Sequence, residues 1–206
     1  MNLKNFEFQH RGLHKNVPEN SMSAFRKALY RNMPIELDVR ILKDFNIVVF
    51  HDSNLKRMTG IDKRIKKCNY EDIKNIMLFN SNECIPLLTD VLNLINNKVL
   101  LLIEIKDYSK QMCKKLTKIL KKYNNFIIQT FSIKTYYWFK LNTKFKIGIL
   151  TYSFLKLKII LNPDFISMSK NNAIKYKNIP LFIWTIKSKE ELKKAKKIGD
   201  SFIVDY

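Results

Sequence analysis

Residues 35–52 read IELDVRILKDFNIVVFHD. The first half, IELDVRI at 35–41, is a β-forming run whose Glu36 and Asp38 stand two apart and so share one face of a strand. The second half, NIVVFHD at 46–52, is another apolar run that leaves the first as a hairpin. A carboxylate inside a buried strand is expensive unless it is paired or bound to a metal. The stretch therefore predicts both a strand and a reason for the acids on it.

Outward from it, the chain alternates between two periodicities. Strand-like segments fall at 6–10, 35–41, 99–106, 126–131, 146–152, 164–169, 180–186 and 201–205, eight in all besides the hairpin strand. Helical patterns fall between them at 19–32, 70–78, 87–96, 109–123, 132–142, 171–177 and 188–198, with a shorter one at 154–161. The 188–198 segment opens on Ser188, has Glu190 and Glu191 in its first turn and stops at Gly199, which are helix-end signals. Such alternation predicts parallel pairing through right-handed crossovers. Eight strands predict a closed (β/α)8, TIM-like barrel, with a short insertion at about 53–85 after strand two and no C-terminal eighth helix. No G-x-G-x-x-G or Walker-type loop follows any strand, which argues against a nucleotide-binding sheet. With four glycines and no low-complexity linker, residues 1–206 read as a single domain.

The net charge is +20, from 38 Lys and Arg against 18 Asp and Glu. Such a surplus suits nucleic acid, an anionic substrate or an anionic membrane surface. Here the excess is mostly lysine, spread along a chain also rich in Asn and Ile, which reads as compositional bias. Without clustered Arg and interleaved aromatics, nucleic acid is not an expected partner. Cys68, Cys84 and Cys113 are an odd number without metal-type spacing, as in a reducing compartment. The start MNLKNFEFQH lacks the apolar core of a signal peptide. The VLLLI run at 99–103 is too short to span a bilayer. The expectation is a cytoplasmic protein, at most peripheral to a membrane.

In a barrel, chemistry sits at the carboxyl ends of the strands. Those ends carry His10 and Arg11, Glu36 and Asp38, His51 and Asp52, and Glu104 and Lys106. Three converging carboxylates would repel one another without a cation between them, and oxygen-only ligation favours a hard ion, Mg2+ or Ca2+. Two histidines beside a metal suit acid–base chemistry near neutral pH. Arg11 and Lys106 add fixed charge for a phosphate. Taken singly, each of these features has a structural explanation; their coincidence at one end of the strands points to phosphodiester cleavage.

The motifs HRG (10–12), PENS (18–21), IELDVRILKD (35–44), VVFHD (48–52), LKRMTG (55–60), IPLLTDVL (85–92), IEIK (103–106), QTF (129–131), WTIK (184–187) and GDSFIVDY (199–206) resemble, as an ordered set over nearly the whole chain, the glycerophosphodiester phosphodiesterases. The resemblance implies a metal-dependent hydrolase that releases glycerol 3-phosphate and an alcohol, by attack of the neighbouring glycerol hydroxyl through a cyclic phosphate. It implies Glu36, Asp38 and Glu104 as metal ligands, and His10 and His51 as the acid–base pair with either order of roles. It implies Arg11 and Lys106 as phosphate contacts, Asp52 orienting His51, Glu19 supporting the metal loop, and Trp184 packing on the glycerol moiety. Lys187 stands where the family usually has Asn, and Val204 where it usually has Thr.

Two other readings stay open beside this one. One is lysophospholipase D-like or glycerophosphate-polymer hydrolysis at a membrane or envelope. The other is an idle barrel that binds anionic ligands, against which the intact His10, His51 and three carboxylates count. The flank without an eighth helix leaves room for a homodimer.

Overall fold

The computed structural model describes residues 2–152, 162–175 and 178–206. Eight parallel strands form the wall: β1 (Glu7–Gln9), β2 (Ile35–Ile41), β4 (Leu101–Ile105), β5 (Phe126–Thr130), β6 (Ile147–Thr151), β7 (Phe165–Ser169), β8 (Leu181–Ile186) and β9 (Ser201–Val204). Each pairs with the next, and β1 pairs with both β9 and, at Gln9 opposite Ile35, with β2, so the ring closes. The hairpin strand β3 (Ile47–Val49) runs antiparallel against the outer edge of β2, with Val49 opposite Val39. The expected barrel is the observed one.

Helices α1 (Met22–Tyr30), α4 (Leu88–Ile95), α5 (Lys110–Leu120), α6 (Ile133–Asn142) and α7 (Lys189–Ala195) follow β1, the β2–β3 hairpin with its insertion, β4, β5 and β8. Four of the five start on a serine, Ser21, Ser109, Ser132 or Ser188, whose hydroxyl accepts a backbone N–H one turn in. Each such cap is worth ~1 kcal/mol. Their apolar faces and the outward side chains of the strands make the larger core, with Leu37, Ile103 and Ile128 fully buried.

Inside the ring, Phe8, Leu102, Ile127, Phe165, Phe182 and Ile203 form an apolar plug. The Phe165 and Phe182 rings stack at 4.3 Å. Gly148 makes the room, since a Cβ there would fall 2.2 Å from the Phe165 ring. Two residues beyond the plug, on the same inward face, β2 presents Asp38, β4 presents Glu104 and β5 presents Gln129, in adjacent register. The apolar half anchors the barrel, and the polar half above it is the place for chemistry.

Between β3 and α4 the chain makes short helices α2 (Lys56–Thr59) and α3 (Tyr70–Ile73). They enclose a core of their own from Leu42, Val48, Phe50, Leu55, Ile65, Cys68, Ile73, Leu78 and Ile85. The helix read over 70–78 is therefore shorter, because Ile76 and Leu78 pack into this core while exposed Met77 bridges Cys84. The helix read over 171–177 is a single 3-10 turn, Lys170–Asn172, continued without helix to residue 175. Asparagines favour such turns by bonding backbone locally, and Asn172 donates its amide to the Tyr152 carbonyl. The segment read as helical at 154–161 lies outside the described residues. Among the described residues no helix is long and apolar enough to cross a membrane.

Candidate active site

The HRG motif turns sharply after β1. Arg11 and Gly12 take positive φ (56° and 81°), and a Cβ on Gly12 would meet Ala24 at 2.9 Å. The turn aims the Arg11 N–H at Glu36, whose Oε2 accepts it at 2.9 Å. Glu36, Asp38 and Glu104 are each buried, and each offers an oxygen within 4.8 Å of the others. Burial, and then the nearness of Asp38 and Glu104, push Glu36 well above the usual carboxylate range. Burial and Asp38 likewise raise Glu104, to about 7. Burial opposes ionisation of Asp38 too, but Lys106, Arg11 and His51 outweigh it and hold that carboxyl at about 2. Three buried acids, two of them held away from ionisation by one another, are the donor set a hard divalent cation would relieve. The residues present fit such an ion.

Two cations brace the cluster. Lys106 Nζ lies 2.6 Å from Glu104 Oε1 and 3.3 Å from Asp38 Oδ1, and Arg11 Nε lies 3.3 Å from Asp38 Oδ2. Asn20, itself at positive φ (55°), donates its amide to Asp38 at 2.9 Å. Glu19 sits away from the carboxylate cluster: it accepts Arg11 Nη1 at 2.8 Å and Arg57 Nη2 at 2.5 Å. Arg57, from α2, also grips Asp52 at 2.6 Å. A chain of ion pairs thus runs from Arg11 through Glu19 and Arg57 to Asp52, tying the insertion to the strand ends.

Each of two histidines has a carboxylate on Nδ1. His51 Nδ1 lies 2.6 Å from Asp52 Oδ1, and His10 Nδ1 lies 3.3 Å from Asp205 Oδ2. A carboxylate there fixes Nδ1 as the donor and leaves Nε2 for chemistry. Burial lowers the His51 pKa, helped by Lys106 and opposed by Asp38 and Asp52. Asp205 is held far below the usual range by His10 first and His14 second.

A cleft of about 160 Å³ opens over these groups. His10, Arg11, Glu36, His51, Glu104 and Lys106 line it, with Gln129 beside them. Asp38 lies beneath and Asp52 faces a neighbouring groove. Across the cleft, Trp184 packs edge-on against Phe131 and Tyr152 at 5.8 and 5.1 Å, making an aromatic wall. Neither amide atom of buried Gln129 nor the Trp184 Nε1 has a hydrogen-bond partner among the described residues. Buried polar atoms of that kind are ordinarily satisfied, so both fit a site shaped for a polar ligand. The sequence reading did not single out Asp205, Asn20, Gln129 or Arg57. Asp205 and Gln129 stand at strand ends, which is the same signal that picked out the others. Asn20 sits in the loop before α1 and Arg57 on the short helix α2 of the insertion, where only the folded contacts reveal them.

Residues 10–162 match the model of the glycerophosphoryl diester phosphodiesterase family. A glycerophosphodiester phosphodiesterase of Caldanaerobacter subterraneus subsp. tengcongensis is 32% identical over 240 residues, covering 98% of this chain and 95% of the relative. Over a shorter stretch, the lysophospholipase D GDPD1 of Homo sapiens is 33% identical, covering 56% of this chain and 40% of the relative. Among solved structures, an Oleispira antarctica phosphodiesterase in complex with the product sn-glycerol-3-phosphate superposes with a TM-score of 0.88 at 19% identity, over 98% of this chain and 94% of that one. A Thermotoga maritima glycerophosphodiester phosphodiesterase superposes with a TM-score of 0.81 at 24% identity, over 99% and 96%. The family-model match over residues 10–162, together with a relative 32% identical over 98% of the chain, makes this chain a member of the glycerophosphoryl diester phosphodiesterase family.

Proposed function

We propose that the protein hydrolyses glycerophosphodiesters to glycerol 3-phosphate and an alcohol, with a divalent ion held by Glu36, Asp38 and Glu104. The observation that carries this reading is the meeting, in one cleft, of a buried carboxylate cluster with Arg11, Lys106 and two carboxylate-backed histidines. The oxygen-only set favours Mg2+ or Ca2+. When bound, the ion would neutralise the acids and stabilise charge on the phosphoryl oxygens. Arg11 and Lys106, now paired with those acids, turn toward the phosphate. His51, whose burial lowers its pKa, is the neutral imidazole that takes the proton of the attacking glycerol hydroxyl at Nε2. His10, with Asp205 on its Nδ1, gives the Nε2 proton to the departing alcohol. The roles reverse when water opens the cyclic phosphate. Trp184 and the orphaned amide of Gln129 contact the glycerol moiety.

Incubation with glycerophosphocholine is expected to release glycerol 3-phosphate with Mg2+ or Ca2+ and to stop with EDTA. Turnover that is indifferent to EDTA would rule out the metal-dependent reading.

A second reading, of lysophospholipid presented at a membrane, has its own observation. Among the described residues, large exposed apolar side chains include Phe45, Ile61, Met77, Phe79, Tyr108, Phe131, Tyr152, Ile174 and Tyr206, and only Tyr30 and Leu141 besides. Phe45, Ile61, Met77, Phe79, Tyr108 and Phe131 lie between the carboxyl end of a barrel strand and the helix that follows, Tyr152 and Ile174 come after the carboxyl ends of β6 and β7, and Tyr206 comes after β9; Phe131 and Tyr152 line the cleft itself. Exposed apolar surface concentrated on one face marks an interaction site, and the net charge of +20 complements an anionic bilayer. The Tyr108→Ser/Ile174→Ser double variant, altered outside the cleft lining, is expected to lose sedimentation with phosphatidylglycerol vesicles while glycerophosphocholine turnover is retained. Equal sedimentation of both proteins would remove this reading.

A further inference from the structure

His10, His14 and Asp205 form a second cluster beside the cleft, of a different chemical character from the first. Each offers one ligand atom, and the three atoms lie within 4.8 Å of one another. His10 Nδ1 is 3.3 Å from Asp205 Oδ2, and His14 Nε2 is 3.0 Å from Oδ1. Each contact, one to either oxygen of the carboxylate, is close to the ligand-to-ligand edge, ~3.3 Å, of a tetrahedral site with bonds of ~2.0–2.1 Å, so a small rotation of Asp205 presents one oxygen to both rings. His14 Nε2 is buried and, although 3.0 Å from Asp205 Oδ1, makes no hydrogen bond among the described residues. A cavity of about 420 Å³ borders His14 and Asp205 on the side away from the carboxylate cluster, with room for entry and for a completing water.

From this geometry we infer an inhibitory site for a borderline transition-metal ion, Zn2+ above all, formed by His10 Nδ1, His14 Nε2 and an Asp205 oxygen. Two imidazoles and a carboxylate suit Zn2+, whereas the all-carboxylate cluster suits Mg2+ or Ca2+, so the two ions sort by donor type. Three protein ligands leave a fourth position open. The inference that occupancy inhibits rests on the role proposed for His10. With Asp205 on Nδ1, the His10 ring cycles between imidazolium and imidazole by gaining and losing a proton at Nε2. A metal on Nδ1 replaces the Nδ1 proton and leaves a neutral ring with its proton on Nε2. That ring has no lone pair to accept a proton, and giving up the remaining one would make an imidazolate. The proton transfer stops in both directions. His14 gives the site its third ligand, so the zinc response belongs to this chain's own loop sequence, HRGLH at 10–14.

The test is calorimetric titration of Zn2+ into the protein held in excess Mg2+, with the hydrolysis rate followed in parallel. The wild-type protein is expected to bind one Zn2+ and to lose activity with the same midpoint. His14→Gln, compared with its own zinc-free rate, is expected to shift both midpoints at least ~10-fold, the lower end of the loss that follows disturbance of a metal's ligand shell. Asp205→Asn is expected to weaken zinc binding in the titration, whatever it does to the rate. Zinc binding that His14→Gln leaves unchanged, or that Glu104→Gln abolishes instead, overturns the site. Zinc bound at His14 without inhibition would keep the site and refute its effect on His10. A protein that binds zinc in this way but hydrolyses no glycerophosphodiester would refute the proposed function and leave the metal site standing.

Discussion

Replacing either His10 or His51 with alanine is expected to lower kcat on glycerophosphocholine by ~10³-fold, within the 10²–10⁴ range for loss of a positioned acid or base. The Michaelis constant should change little, because in the proposed mechanism Arg11 and Lys106 rather than the imidazoles hold the phosphate. The double variant should be scarcely worse than either single one, since a proton donor is of little use once the acceptor is gone. Both side chains line the cleft and are partly exposed, 18% and 31%, so their removal opens no core cavity and melting temperatures should be near those of the parent. The pH profile separates the two roles. His51 must be neutral to accept a proton, so kcat/KM should fall as the solution is acidified through its pKa, which burial sets below the ordinary 6.5. His51→Ala should erase that acidic limb, and Asp52→Asn should move it while costing less rate. If either alanine variant keeps more than about a tenth of parental kcat, within the spread expected for a spectator residue, the acid–base assignment fails.

The barrel was legible because its signals are local. Buried parallel strands read as apolar runs such as VLLLI at 99–103, and serines announce the helix starts at 109, 132 and 188. The carboxylate cluster was legible for a related reason: acids at i and i+2 in an apolar run are conspicuous, and Glu36 and Asp38 do come together with Glu104. Legibility ended where neighbours come from far away in sequence. Asp205 meets His10 across 195 residues, and Arg57 reaches Glu19 across 38, with no periodicity to mark either contact. Glu19 itself pairs with Arg11 and Arg57, while its neighbour Asn20 reaches Asp38, contacts that no spacing in the sequence marks. The 53–85 insertion read as a short connection with one helix, yet it builds a small core. Its apolar residues follow neither a period of two nor one of 3.6, because loops and bridges rather than regular elements bury them.

The metal-free protein is expected to lose stability as pH rises, the reverse of what paired carboxylates usually produce. Glu104 has an ordinary pKa of 4.5 and is raised to about 7 in the fold by burial and Asp38. The folded chain therefore holds more protons than the unfolded one between those values, and stability falls with pH across that window. The stabilising effect of its protonation is complete below about pH 4.5 and gone above about pH 7. At 1.36 kcal/mol per unit, this amounts to about 3 kcal/mol, and Glu36 is shifted in the same direction. Asp38, lowered to about 2, works the other way, but only as pH drops through its own lower range. For a chain of this size the loss corresponds to a fall in Tm of ~10 °C between pH 5 and pH 8 in EDTA. A saturating divalent ion should abolish the slope and add ~2.7 kcal/mol at a hundredfold excess over its Kd, since it binds the ionised acids that otherwise repel. Glu104→Gln removes the titrating group, so it should melt higher than the parent at pH 8 in EDTA and respond least to added Mg2+ or Ca2+. Thermal melts at the two pH values, with and without the ion, decide the matter. A metal-free protein as stable at pH 8 as at pH 5 would mean that the three carboxylates are not held against one another as the fold places them.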